Sequence, residues 1–106
     1  MTKTIRSQVV LALAMCVASA VCFAQGAGEA TYKAKCQTCH GATGTPSPAM
    51  AKMMGIKAIS DPDIQKLTAD QMIASVTNGK GKMKPFNGKL TDAEIKDAVS
   101  FYRGLK

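Results

Sequence analysis

The chain has 106 residues, a formal charge of +7, four cysteines, a single histidine and no tryptophan. That length allows one small domain and excludes a large enzyme core. A pI near 9.4 admits nucleic-acid binding on charge alone, but the N-terminal stretch points to export and argues against it.

Residues 1–24 read as a secretory signal peptide. Lys3 and Arg6 make a positive start, Val9 to Val21 is apolar apart from Ser19, and Cys22-Phe23-Ala24 places small residues around a cut. A cut after Ala20 is nearly as good. Val9 to Phe23 is 15 residues, short of the roughly 20 that span a bilayer, so no stable membrane insertion of the mature chain is expected. Cys16 and Cys22 leave with this segment, and the mature domain is residues 25–106. Of 14 Lys and Arg, Lys3 and Arg6 are lost too, which leaves 12 against 7 acids, a formal +5.

A first helix is expected over 26–40. Tyr32, Cys36 and Cys39 fall at i, i+4 and i+7, on one face. The helix ends in Cys36-Gln37-Thr38-Cys39-His40, the attachment signature for c-type haem. Two thiols three positions apart share a helical face and so reach both vinyl groups of one porphyrin. The adjacent imidazole is then directed at the iron as proximal ligand. A redox dithiol would need a thioredoxin-like βαβ setting, and no such alternation occurs. A structural zinc site takes four ligands, and no second Cys or His completes one. Both remaining thiols are used, so no disulfide is expected despite export. A chain of this size is also short of apolar mass, so haem is expected to supply part of the core and the apo-chain to be largely unfolded.

Gly41 suits a helix end that needs positive φ. Residues 41–60 read as a long loop punctuated by Gly44, Pro46, Pro48 and Gly55. A backbone carbonyl normally accepts from the second nitrogen of a ligating His, and Pro46 or Pro48 is a candidate source. Asp61-Pro62-Asp63 suits a short helical turn. Thr68-Ala69-Asp70-Gln71 is a capping box opening a helix to about Thr77, with Met72, Ile73 and Val76 as its apolar stripe. Residues 79–90 have loop composition, and Met83 belongs to no helical stripe. Thr91-Asp92-Ala93-Glu94 is a second capping box, opening a helix in which Ile95, Ala98, Val99 and Tyr102 face inward. Its aromatics are placed to pack against Tyr32. Strand-like alternation of useful length is missing, so the fold class is all-α, with about three to four helices on one haem.

With one histidine, bis-His ligation is impossible. The sixth ligand is a Met, a Lys, a terminal amine, water or nothing. Met72 is core, and Met50, Met53 and Met54 lie 10 to 14 residues from His40. Met83 lies 43 residues away, enough chain to reach the opposite haem face, and is preferred, with Met50, Met53 or Met54 next.

The mature chain resembles the small bacterial class I c-type cytochromes over nearly all its length. Glu29-Ala30-Thr31-Tyr32-Lys33-Ala34-Lys35 leading into Cys36-Gln37-Thr38-Cys39-His40-Gly41 is similar to their N-terminal helix and haem-binding segment. Thr77-Asn78-Gly79-Lys80-Gly81-Lys82-Met83-Lys84-Pro85-Phe86 is similar to their sixth-ligand loop, and Asp97-Ala98-Val99-Ser100-Phe101-Tyr102-Arg103 to their terminal helix. The resemblance implies a cytochrome c fold, one covalent haem c on Cys36 and Cys39, and iron between His40 and Met83. One departure is visible: many relatives have Pro directly after the ligand Met, and here Lys84 precedes Pro85.

A His/Met haem implies a soluble periplasmic one-electron carrier rather than an enzyme. The alternatives are a haem-based ligand sensor or peroxidase-like module with a labile sixth ligand, or the cytochrome subunit of a larger redox complex. Lys80, Lys82, Lys84 and Lys89 bracket Met83 and suit redox protein partners with an acidic docking surface; the other reading is a solvated basic loop.

Overall fold

The computed structural model describes residues 26–105. The signal-peptide reading of residues 1–24 lies outside them.

Among the described residues six helical segments follow in order: α1 (26–35), α2 (Gln37–His40), α3 (Pro48–Met54), α4 (Pro62–Gln65), α5 (Ala69–Asn78) and α6 (Asp92–Arg103). No strand occurs among the described residues; the loop between α5 and α6 contains isolated bridges at Lys80–Met83 and Asn87–Leu90. The all-α class is as expected.

The two capping boxes form as read. Thr68 Oγ1 accepts from the Gln71 N–H at 3.1 Å, and Gln71 Oε1 accepts from the Thr68 N–H at 2.8 Å. Thr91 and Glu94 repeat the exchange at 3.1 and 3.0 Å. Each box satisfies two of the N–H groups that a helix start leaves without partners. At α4, Asp61 Oδ1 accepts from the Asp63 N–H at 2.8 Å.

Two boundaries differ from expectation. The 26–40 helix is interrupted at Cys36 (φ −117°, ψ −36°), which leaves the haem-attachment signature on a separate turn. The expected loop over 41–60 contains a helix, α3. Pro48 occupies its first turn and Ser47 Oγ caps it, accepting from the Met50 N–H at 3.2 Å. Proline at a helix start loses no hydrogen bond, because that N–H has no partner anyway; here it opens a helix rather than marking a loop.

The core lies where α5 meets α6. Met72, Ile95 and Val99 are buried together, with Ile64, Leu67, Ile73, Val76, Phe86, Leu90 and Tyr102 packed around them. Arg103 Nη1 donates to the Leu67 carbonyl at 2.9 Å and joins the end of α6 to the entry of α5.

Helix α1 lies across α6. A Cβ on Gly28 would sit 2.3 Å from the Asp97 carbonyl oxygen, so only glycine allows the two backbones this close. One turn on, Tyr32 is 2% exposed. Its ring meets Phe101 at 5.3 Å, tilted by 52°, and stacks on Tyr102 at 6.0 Å. Aromatic pairs of this geometry contribute about 0.5–1.5 kcal/mol beyond their buried area. The expected contact between Tyr32 and the α6 aromatics is present, and it fixes the helix that leads into the Cys-His turn.

Candidate functional site

Cys36, Cys39 and His40 come together on one turn. The Cys36 N–H donates to the Tyr32 carbonyl at 2.8 Å, so the turn hangs directly from α1. The N–H groups of Cys39 and His40 both donate to the Cys36 carbonyl, at 3.2 and 3.0 Å. Gly41 closes the turn with φ 84°, and its N–H donates to the Gln37 carbonyl. Tyr32 Oη donates to the Gly41 carbonyl at 2.6 Å. The turn is therefore held at both ends by the residue that anchors α1 to α6.

Both thiols are free and half-buried. Burial, with the neighbouring Cys39, pushes the Cys36 thiol up. A reactive dithiol needs the opposite, a thiolate stabilised at neutral pH. Among the described residues no three His, Cys, Asp or Glu side chains are grouped to hold a metal ion.

The His40 ring packs edge-on against Tyr102, centroids 5.5 Å apart. Burial lowers its pKa, which favours the neutral form in which imidazole ligates metals. Nδ1 is enclosed and has no hydrogen-bond partner. Neither the Pro46 nor the Pro48 carbonyl accepts from Nδ1 here, and the ring's aromatic neighbour is Tyr102. The contact between Tyr102 and His40 was not legible in the sequence, where Tyr102 reads only as part of an apolar stripe. Paired free thiols next to a half-buried imidazole are a donor set that fits haem c.

Met83 is positioned separately, in the loop between α5 and α6. It closes a tight turn in which the Lys80 N–H donates to the Met83 carbonyl at 3.1 Å and the Met83 N–H to the Lys80 carbonyl at 3.0 Å. Gly79 (φ +80°) lies against this turn; a Cβ there would be 2.9 Å from the Met83 carbonyl oxygen and 3.0 Å from Pro85 N. Farther along, the N–H groups of Phe86 and Asn87 donate to the Val76 and Thr77 carbonyls at 2.9 and 3.1 Å. These belong to the last turn of α5, where carbonyls lack helical partners. The end of α5 thus templates the loop that carries Met83. Met83 is half-buried, as are Met50 and Met54, whereas Met53 is 58% exposed and Met72 is core. Lys80, Lys82, Lys84 and Lys89 are all exposed.

Comparison with known proteins agrees with this geometry. Residues 24–101 match the family model described as cytochrome c oxidase, cbb3-type, subunit III. Cytochrome c-555 of Chlorobaculum tepidum is 32% identical over 98% of this chain and 97% of its own length. Cytochrome c6 of Leptolyngbya boryana is 33% identical over 72% of this chain and 85% of its own. The solved structure titled KustC0563 c-type cytochrome superposes with a TM-score of 0.67 at 33% identity, over 74% of this chain and 96% of that one. The chain belongs to the class I c-type cytochromes, electron-transfer proteins, not enzymes, that carry covalently bound haem c.

Proposed function

We propose that the protein is a one-electron carrier exported to the periplasm, with haem c joined to Cys36 and Cys39 and its iron held between His40 and Met83. The observation that carries this reading is the 36–40 turn. Its two unpaired thiols and its half-buried imidazole are adjacent, and Tyr32 and Tyr102 pack on the turn from α1 and α6. When bound, haem supplies one reversible iron couple, and a thioether sixth ligand raises its potential relative to a second imidazole.

The chain's own residues do the remaining work. Tyr32 fixes the attachment turn. Tyr102 packs edge-on against His40. The 80–83 turn presents Met83. Export is supported by the composition of residues 1–24. No helix among the described residues is long and apolar enough to cross a membrane.

Lys80, Lys84 and Lys89 are exposed around the Met83 turn, and this charge favours a redox partner with an acidic face. Electron-transfer rates with such a partner should fall with added salt and with Lys84→Glu. Rates indifferent to both would leave these lysines as solvating groups only.

The visible spectrum of the holoprotein is the decisive experiment. Sharp α and β bands on reduction are expected, with the weak long-wavelength Met–Fe(III) band in the oxidised form, and Met83→Ala should abolish that band. A high-spin ferric spectrum with ready CO binding would replace the carrier by a ligand-binding module. Absence of haem absorption would overturn the reading altogether. The family model's description, an oxidase subunit, supports a second reading as a subunit of a larger redox complex. Size-exclusion chromatography of the native extract separates it from a free carrier.

A further inference from the structure

Lys82 immediately precedes Met83, and its ammonium is engaged. Nζ donates to the Met53 carbonyl at 2.7 Å, across 29 residues of chain. Met53 lies in the last turn of α3, which Gly55 closes in the left-handed conformation. Carbonyls at a helix end lack helical partners and carry the negative end of its dipole. A cation placed on one therefore makes a charge-assisted bond. The other hydrogen bonds of the Met83 loop among the described residues run within the loop or to Val76 and Thr77 of α5. Among the described residues the loop is thus hydrogen-bonded to α5 on one side and, through Lys82, to α3 on the other.

We propose that Lys82 is a positioning residue for Met83. Its bond to the Met53 carbonyl holds the 80–83 turn in the arrangement that presents the thioether, and loss of that bond lets an external ligand displace Met83 more easily. This rests on the reading of Met83 as iron ligand. The acceptor is a backbone carbonyl, so the exposed Met53 side chain plays no part in it, and Met53→Ala is silent.

The test is titration of the oxidised holoprotein with imidazole, followed by loss of the Met–Fe(III) band. Lys82→Ala should bind imidazole about fivefold more tightly, the order expected of one exposed charge-assisted hydrogen bond. Lys82→Arg keeps the donor and should restore the wild-type affinity. Lys84→Ala removes the same charge on the other side of Met83 without touching the bond, and its imidazole affinity should match wild type. Unchanged affinity in Lys82→Ala, or an equal rise in Lys84→Ala, overturns the positioning role while leaving Met83 as ligand. A Met–Fe(III) band that survives Met83→Ala overturns the ligand assignment itself.

Discussion

The hydroxyl of Tyr32 donates to the carbonyl of Gly41 at 2.6 Å, bridging the Cys-His turn from its entry to its exit. Burial, with the nearby Tyr102 and Cys36, pushes the Tyr32 pKa up to about 12, so the phenol remains a donor at any physiological pH. Tyr32→Phe keeps the ring stack and removes only this bond. The expected loss is about 1 kcal/mol, or roughly 4–8 °C in the thermal midpoint of a domain this size. An unchanged midpoint would mean that the bond contributes nothing to the turn.

Gly28 sets the distance between α1 and α6. Gly28→Ala puts a methyl group 2.3 Å from the Asp97 carbonyl oxygen, and backbone on both sides must move. A loss of about 2 kcal/mol or more is expected in guanidinium unfolding, in the range of overpacked cores. Gly26→Ala is the control, because a Cβ there meets nothing within 4 Å. Equal behaviour of the two variants would contradict the close crossing.

The second capping box makes stability depend on pH. The backbone N–H and the hydroxyl of Thr91 hold the Glu94 carboxyl below its usual 4.5. A carboxyl depressed in the folded state contributes its full stability above the unfolded pKa, and loses it as pH falls through the folded one. Unfolding followed from about pH 6 down to about pH 3 should therefore show a shallower pH dependence in Glu94→Gln than in wild type. Gln retains the acceptor, so the two proteins should converge at the acid end. Identical slopes would show that Glu94 does not titrate with folding. Asp63 is depressed in the same sense by Lys57 and Lys66, but these exposed pairs should fade with salt.

Removing haem should remove the cooperative fold. Among the described residues the buried apolar set is Tyr32, Ile59, Met72, Ile95, Ala98 and Val99, a small core to offset the entropy of ordering the chain. The double variant Cys36→Ser, Cys39→Ser has no thioether attachment and should show weak helicity in far-UV circular dichroism, with no sharp thermal transition. A cooperative melt of the haem-free chain would show that the helices stabilise one another unaided.

Much of the chain was legible because its signals are short. Cys36, Cys39 and His40 lie within five consecutive residues, and covalent haem attachment demands that spacing. The capping boxes at Thr68 and Thr91 each close over three residues, and the stripe of Ile95, Ala98 and Val99 follows the helical repeat. Helix α3 was missed even though its start is also local: Pro48 fits a helix's first turn as well as a loop, and only the Ser47 cap separates the two.

By itself, the sequence determined the helices with strong caps, the grouping of Cys36, Cys39 and His40 on one turn and the isolation of Met83 from every apolar stripe. Each of these depends on residues a few positions apart, whose geometry the chain's own covalent structure dictates. Tertiary structure alone decided that Gly28 seats α1 on Asp97, that Tyr102 packs edge-on against His40, and that Lys82 reaches Met53. Those contacts join residues tens of positions apart, and whether two such groups meet depends on how the whole core packs. No local pattern encodes that.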